Sequence, residues 1–594
     1  MSRVCAAVLL LCLWSAASGV SPSSPPLFEV SFPTSVRPEP VTGRLLLMIS
    51  RDGEPEVRLQ VGWVNSPPLF GVDVNNLRSG ESVSFDANTP GYPLRSLRDL
   101  PAGDYYVQAL LNVYTEFRRA DGHDIWAHMD QWEGQRFNLS PGNLFSKVQK
   151  IHLDASTQYT IKLELTETIA PIQVPQDSQW VKRVKIQSQI LSRFWGHPIY
   201  LGAVVLLPRG YAEHPERRYP VIYNQTHFSL EPPFGFSIDD TPEEESDRDF
   251  RRSIGVETGY EFYRSWQSAG FPQLIAVTLL HPTPYYDDSY AVNSANNGPY
   301  GDAVMSELIP YIERQFRIIR EPYARVLTGG STGGWEALAL QIYHPDFFGG
   351  SWAFYPDPVD FRRYFLVNIY QDSNAFVFNS SQAPYFLRGE WTSVEQPIVR
   401  SADGHTIATI RQDSQLESVL ATNGRSGAVL DNWEAVYGPV GEDGYPRALW
   451  DRTTGRIDHS VAEYMRSHGY DLQDYLKTHW SEIGVKLVGK LHVFCGDMDN
   501  FYLNEGVYLL QQFLNESQNP HYGGYFEYGR PQKGHGWQPM TNADLVRNMA
   551  RHIAAAAPTG ASLAWLENSG WKMRSASHGS VKRPSQSYQV RRED

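Results

Sequence analysis

The segment Arg325-Val-Leu-Thr-Gly-Gly-Ser-Thr-Gly-Gly-Trp335 constrains the fold most. A β-forming run ends at Thr328, the pattern G-x-S-x-G follows as Gly329–Gly333, and apolar residues at helical spacing (Trp335, Leu338, Ile342) begin at once. A chain that turns from strand to helix so abruptly has no room for bulk on either side of the central residue, and Gly329 and Gly333 meet that need. The turn holds the Ser331 hydroxyl above the edge of a sheet, and the N–H of Thr332, at the helix start, points at a developing negative oxygen.

The surrounding sequence reads as a mainly parallel sheet covered on both faces. Strands are expected at Tyr200–Leu207, Tyr219–Tyr223, Leu274–Leu280, Arg325–Thr328, Gly350–Tyr355, Leu491–Cys495 and Gly524–Tyr528. Helices are expected over 302–317 and from Leu503 to Glu516. Pro356–Val485 separates two strands by about 130 residues, far beyond an ordinary connection, and reads as an inserted lid or cap holding Trp391, Trp433, Trp450 and Trp480. The acidic run Asp239–Asp249 reads as a solvated loop.

Ahead of the Pro-rich connector Ala170–Gln179 the period changes to two. Val57, Leu59, Val61 and Trp63 alternate with polar residues or glycine, as do Tyr159, Ile161, Leu163 and Leu165, and Tyr105–Tyr114 is a third apolar run. This predicts an antiparallel β-sandwich over 27–166 in front of a catalytic unit over 180–556, with the insertion at 356–485. Trp63, Trp126 and Trp132, with Tyr105, Tyr106 and Tyr114, are candidates for carbohydrate contact by this sandwich, against a packing role that the alternation at Trp63 favours.

At the other extreme of the chain, Arg3 and the apolar run Val4–Trp14 followed by small residues read as a signal peptide over 1–19. Secretion is the expectation, Cys495 is then the one cysteine kept, and Asn138, Asn224, Asn379 and Asn515 are glycosylation sequons, with Asn224 expected to stay unmodified beside the cleft. The basic, Ser-rich tail over 557–594 is expected to be disordered. With 66 acidic against 52 basic residues, the net charge of −14 argues against nucleic acid as a partner. No later apolar run is long enough to span a membrane, and no clustered ligand motif calls for a metal or other cofactor.

A serine needs a base, and the base an orienting acid. Downstream of Ser331, the strand Leu491–Cys495 runs into Asp497-Met-Asp499, and after the last strand His535 lies between glycines in Lys533-Gly-His-Gly-Trp537. Ser331, then an acid, then His535 is the order this architecture requires; Asp499 is favoured over Asp497, which remains an alternative. The second oxyanion donor falls in Asn224-Gln-Thr-His-Phe228, at Gln225, Thr226 or His227. Trp335 beside the serine turn, and Asp287, Asp288, Asn293, Asn296 and Asn297 in the loop Tyr285–Tyr300, are candidates for substrate contact.

Tyr219-Pro-Val-Ile-Tyr, Glu307-Leu-Ile-Pro-Tyr-Ile-Glu313, the Gly329–Gly334 turn, His344-Pro-Asp-Phe-Phe348, Cys495-Gly-Asp-Met-Asp499 and Gly534-His-Gly-Trp537 together resemble the "Putative esterase" family, which includes esterase D, feruloyl and acetylxylan esterases and enterochelin esterase relatives. The resemblance runs from about Pro198 to His552 outside most of the insertion, and implies an α/β-hydrolase fold, a Ser-His-Asp mechanism on esters and Asp499 as the acid. Thr332 stands where that family often has Met, and a glycine-rich oxyanion loop is missing. The expectation is a secreted serine hydrolase of a small or polymer-linked ester that needs no cofactor; the alternatives are acyl transfer on the same residues, or a binding protein that kept the fold without activity.

Overall fold

A computed structural model describes residues 26–566 apart from 63, 130–135, 155–159, 243, 287 and 379–393; the expected signal peptide therefore lies outside the described residues. The N-terminal strands are β1 (Leu27–Ser31), β2 (Val41–Ser50), β3 (Leu69–Leu77), β4 (Val83–Phe85), β5 (Gly91–Tyr92), β6 (Gly103–Val113), β7 (Thr115–Arg118), β8 (Asp124–Ala127), β9 (Leu144–Ser146), β10 (Gln149–Leu153) and β11 (Thr160–Thr168). They pair in the order β4-β1-β11-β9-β6-β2-β3-β5, with β10 added to β6 and β7–β8 as a separate hairpin. Pairing is antiparallel except between β1 and β11, which run parallel. These are the first and last strands of the sheet, so no tight turn dictates their relative direction. The strand expected over Val57–Trp63 is instead a 3₁₀ turn at Val57–Leu59, with Trp63 outside the described residues. Its backbone finds local partners: Arg58 N donates to Gln108 Oε1 and Gln60 N to the Val57 carbonyl.

The second part of the chain forms β12 (Val181–Ser188), α1 (Gln189–Trp195), β13 (Ile199–Leu206), β14 (Val221–Gln225), α2 (Glu245–Ile254), α3 (Gly259–Trp266), β15 (Ile275–Leu280), the short pair β16 (Asn293–Ser294) and β17 (Gly298–Pro299), α4 (Tyr300–Ala303) and α5 (Ile309–Gln315). Then come β18 (Arg325–Gly330), α6 (Thr332–Tyr343), β19 (Gly350–Phe354), the pair β20 (Pro397–Arg400) and β21 (Thr406–Thr409), and the helices α7 (Ile410–Leu420), α8 (Val429–Tyr437), α9 (His459–Ser467) and α10 (Leu472–Leu487). β22 (Leu491–Gly496), α11 (Leu503–Glu516), β23 (Tyr525–Gly529) and α12 (Asn542–Ala556) complete the fold. An eight-stranded sheet in the order β12-β13-β15-β14-β18-β19-β22-β23 makes this a mixed α/β protein. It is parallel from β15 onward, with β12 and β13 antiparallel at one edge. Every expected strand of this sheet is present to within two residues at each end. The sequence reading missed β12, whose half-exposed, Lys- and Arg-bearing pattern suits an edge. The acidic run is not all loop, because α2 begins at Glu245. Glu245 and Asp247 lie in its first turn and Arg251 and Arg252 in its last, the arrangement a helix dipole favours.

Trp433, Trp450 and Trp480 are buried in the core that the insertion shares with α6, so they are packing residues and not walls of an open pocket; Trp391 lies outside the described residues. Within the tail expected to be disordered from 557, Trp565 is buried and its carbonyl accepts from Gln273 N, while residues 567–594 lie outside the described residues. Asn138 is buried with its amide donated to the Arg58 carbonyl, Asn224 is half-buried and donates to Thr278 Oγ1, Asn515 is exposed, and Asn379 is outside the described residues. Among the sugar-platform candidates, Tyr105 and Tyr114 are buried, Tyr106 is half-buried, and Trp132 lies outside the described residues. Trp126 lies on strand β8, not in a loop, half-buried with its N–H donated to Tyr445 of the insertion.

β2 carries the continuous apolar run Leu45–Ile49 because both of its faces are covered. Leu45, Leu47 and Ile49 enter the core of their own sheet, whereas Leu46 and Met48 pack with Leu416, Val419 and Leu420 of α7 and with Tyr286. Beside them the buried Arg44 donates from Nε and Nη2 to the Val419 carbonyl, 3.1 and 2.8 Å, and pairs with Asp73 at 3.1 Å. Arg44→Ala leaves that carbonyl without its partner, and the expected cost is about 1–3 kcal/mol, read as a lower midpoint of thermal unfolding.

The insertion also buries Asp413, Glu417, Asp431 and Glu434 around one cation, Arg452, whose Nη2 reaches Asp431 Oδ1 and Glu434 Oε2 at 2.8 Å each. Burial pushes the Asp413 and Glu434 carboxyls up to about 7 against the pull of Arg452. Folded acids with raised pKa bind protons that the unfolded chain has released, so stability falls as pH rises from the ordinary carboxyl range to about 7. The loss of thermal stability between about pH 5 and about pH 8 is therefore expected to be smaller in Asp413→Asn than in the parent chain, measured by scanning both proteins at both pH values.

Candidate active site

β18 leads into α6 through Ser331, which has φ 57° and ψ −122°. Such a backbone costs a non-glycine residue roughly 1–3 kcal/mol and persists only where the surroundings over-determine it. Here they do. Ser331 N donates to the Phe354 carbonyl at 3.0 Å, and the Ser331 carbonyl accepts from Gly334, Trp335 and Asp357 N–H groups at 2.9, 3.1 and 3.2 Å. The end of β14 passes directly behind the turn. A Cβ on Gly329 would lie 2.6 Å from the Gln225 carbonyl oxygen, and one on Gly333 would fall on that oxygen. The sequence expectation of small residues at 329 and 333 thus has its cause in the approach of Gln225.

The loops after β22 and β23 meet at the same edge. His535 Nδ1 and Asp499 Oδ2 are 2.8 Å apart. Asp499 is fully buried, and its other oxygen accepts from Phe501 N at 2.9 Å and Leu503 N at 3.3 Å. The His535 ring sits between Tyr355 and Phe501, with centroids 4.6 and 4.8 Å away, and the His535 backbone N–H donates to Asn500 Oδ1 at 2.8 Å. Asp497 instead accepts from Lys533 N at 3.1 Å, which makes it a brace between the two loops.

The Ser331 hydroxyl does not face His535. It donates to Asp357 Oδ1 at 3.3 Å. Asp357 is buried just beyond β19, and its Oδ2 accepts from Tyr290 OH at 2.6 Å and Thr332 Oγ1 at 3.0 Å. Burial raises the Asp357 carboxyl above its usual range, with the Tyr290 hydrogen bond, the charge of His227 and the Thr332 hydrogen bond pulling the other way. Thr332 Oγ1 lies 3.4 Å from His227 Nε2, and His227 Nδ1 lies 3.4 Å from the buried Asp288. Trp433 of the insertion donates its indole N–H to Tyr290 OH at 2.6 Å. The sequence reading found neither Asp357 nor Tyr290. A lone aspartate in Tyr-Pro-Asp-Pro and a tyrosine in a loop chosen for its Asn and Asp residues carry no spacing signal.

The remaining expectations divide. Thr332 occupies the first position of α6, where its N–H has no intrahelical acceptor. Gln225 turns its backbone carbonyl to the serine turn, not its N–H; its side-chain amide is buried without a partner and lines a cavity of ≈ 440 Å³ walled on one side by Gly329 and Gly330. Trp335 is fully buried against Tyr290 and Tyr437, which makes it a core residue and not a substrate contact. Asn293 is exposed and accepts from Asp302 N at the start of α4. Asn296 ties its loop to the insertion by donating to the Gly438 carbonyl, and Asn297 is buried with its carbonyl held by the Trp195 indole. Asp287 lies outside the described residues.

Residues 200–360 match a family model described as "Putative esterase". No curated protein matches the chain. Among solved structures, the S-formylglutathione hydrolase from Agrobacterium tumefaciens is 11% identical with a TM-score of 0.30, over 64% of this chain and 98% of that one. A ferulic acid esterase from Anaeromyces mucronatus, solved in complex with ferulic acid, is 12% identical with a TM-score of 0.28, over 64% of this chain and 92% of that one. A fluorophosphonate-binding serine hydrolase of Staphylococcus aureus is 11% identical with a TM-score of 0.30, over 63% and 98%. Likenesses this distant carry neither substrate nor mechanism to this chain. The resemblance to esterases rests on the family match, whose span of residues 200–360 includes the Ser331 turn and ends before Asp499 and His535.

Proposed function

We propose that this chain is a secreted serine hydrolase of the α/β-hydrolase type that cleaves a carboxylic ester through an acyl-enzyme on Ser331. The observation that carries the reading is the Asp499–His535 pair, 2.8 Å apart, at the strand edge where the strained Ser331 turn emerges. The Ser331 oxygen attacks the ester carbonyl carbon while His535 Nε2 takes the hydroxyl proton. Asp499 holds His535 through Nδ1 and stabilises the imidazolium. The Thr332 N–H, at the positive end of α6, faces the oxyanion. His535 then protonates the departing alkoxide, and water, deprotonated by the same imidazole, releases the acid and restores Ser331. Each step uses groups of this chain and water. In this reading the insertion 356–485 is a cap over the site, rooted by Trp433 and Asn296. The N-terminal sheet positions that cap through Arg44, which supports a packing role over carbohydrate contact. Secretion rests on the leader-like run Val4–Trp14, and the exposed Asn515 is the sequon best placed for a glycan.

Ser331→Ala is expected to lose about 10⁴–10⁶ in kcat on a chromogenic acetate ester and to lose fluorophosphonate labelling, with the unfolding midpoint retained. Near-parental turnover in that variant rules the mechanism out. Asp499→Asn is expected to cost about 10⁴ in kcat, because it leaves His535 in the wrong tautomer, and Asp497→Asn far less. The reverse ranking in steady-state assays moves the orienting acid to Asp497.

A further inference from the structure

Among the described residues, Asp357 is the one carboxyl hydrogen-bonded to the Ser331 hydroxyl, and its two oxygens are not equivalent. Oδ2 accepts from two hydroxyls, Tyr290 at 2.6 Å and Thr332 at 3.0 Å. The Tyr290 oxygen also accepts the Trp433 indole N–H at 2.6 Å and lies 3.0 Å from Thr332 Oγ1, with Asp357 Oδ2 the nearest acceptor for its proton. Tyr290 and Thr332 thus occupy Oδ2 as an acceptor. A proton taken up by Asp357 goes to Oδ1, the oxygen that faces Ser331 Oγ at 3.3 Å. Among the described residues no hydrogen bond joins Ser331 Oγ to His535.

Resting on the reading of Ser331 as nucleophile, we propose that Asp357 sets the direction of the Ser331 hydroxyl: as a carboxylate it holds the serine proton on itself and away from His535, and as a carboxylic acid it donates from Oδ1 to Ser331 Oγ and releases the serine proton toward His535. One proton, taken from solvent, separates the two states, and the hydrogen bond between the two oxygens reverses its polarity. No covalent bond to carbon forms or breaks in the exchange. Asp357 is thus a positioning residue, and it explains the departure at 332, because a methionine there offers no hydroxyl to hold Oδ2.

The groups that face Asp357 come from every element around it. His227, in the loop after β14, lies behind Thr332 with Asp288 as its counter-charge. His535, in the loop after β23, brings a charge backed by Asp499. Tyr290 comes from the loop after β15, and Tyr364 and Tyr437 come from the insertion, the last two with phenols that burial keeps neutral. Burial of Asp357 outweighs the histidine charges and hydroxyl donors, so its acid form persists above the usual carboxyl range.

The test is kcat/KM against pH for a chromogenic acetate ester, with the full chain. Productive alignment needs Asp357 protonated, so the profile carries an alkaline fall as Asp357 ionises. In Asp357→Asn, Tyr290 and Thr332 select the amide oxygen for their side and turn the amide N–H toward Ser331 at every pH. The alkaline fall is expected to vanish, with the variant-to-parent ratio growing about tenfold per pH unit beyond the parent's midpoint. Thr332→Val, which deletes one donor to the carboxylate, is expected to move that midpoint to higher pH, and it serves if the first variant does not fold. A profile of unchanged shape in a folded variant, altered only in height, overturns the proposal, as does a parent enzyme with no alkaline fall. Fluorophosphonate labelling separates the two levels. An unlabelled Ser331 in the parent removes the nucleophile itself, whereas labelling with unchanged profiles removes only the role given to Asp357.

Discussion

The hydrogen bond from Ser331 N–H to the Phe354 carbonyl, 3.0 Å long, joins two neighbouring strand ends at the strained Ser331 turn. The rest of the site is arranged around it. With Ser331 at φ 57°, the chain must reverse within a single residue, and that reversal survives because β14 presses from behind and β19 holds from the side. The same bond fixes where β19 ends, and Asp357 follows within three residues. A strained serine and a buried carboxyl beside it are thus two consequences of one local constraint.

The site is supported at two removes. Arg400, on β20 of the insertion, donates from Nε to the Asp499 carbonyl at 2.9 Å and from its backbone N–H to the Asn500 carbonyl, and its own carbonyl accepts from Asn500 Nδ2, so the loop that carries Asp499 leans on the insertion. The insertion in turn leans on the N-terminal sheet through Arg44 and through the apolar contact of Leu46 and Met48 with α7. The buried carboxyls around Arg452 lie inside this middle layer, where one cation serves several acids. Mixed polar cores of this kind tie the layer's rigidity to its protonation.

The parallel sheet was legible because its strands are uniformly apolar and punctuated by turns, and the Ser331 turn and the Asp499–His535 pair were legible because each residue follows such a strand. The edge strand β12 escaped because it is half polar, and the helical start of α2 escaped because its acids look like a solvated loop. Trp335 read as a site residue from its place in the chain, yet the helix turns it into the core beside Tyr290 and Tyr437. Asp357 and Tyr290 were beyond reach for a different reason. Their roles arise from contacts between residues 67 apart and, for Tyr290 and Trp433, 143 apart, and no periodicity records such pairs.

That last contact has a consequence for how the chain can vary. The Trp433 indole ends on the same phenol that steadies Asp357, so an insertion swinging away as a rigid flap would strand a buried indole N–H. On the proposed reading, substrate is better admitted past other segments, such as the exposed α2 between β14 and α3, with the Trp433 contact kept. Positions 290 and 433 also cease to be independent. Among relatives that keep this insertion they should change together or not at all, and exchange of the insertion between relatives should succeed only where the loop that meets it is exchanged as well.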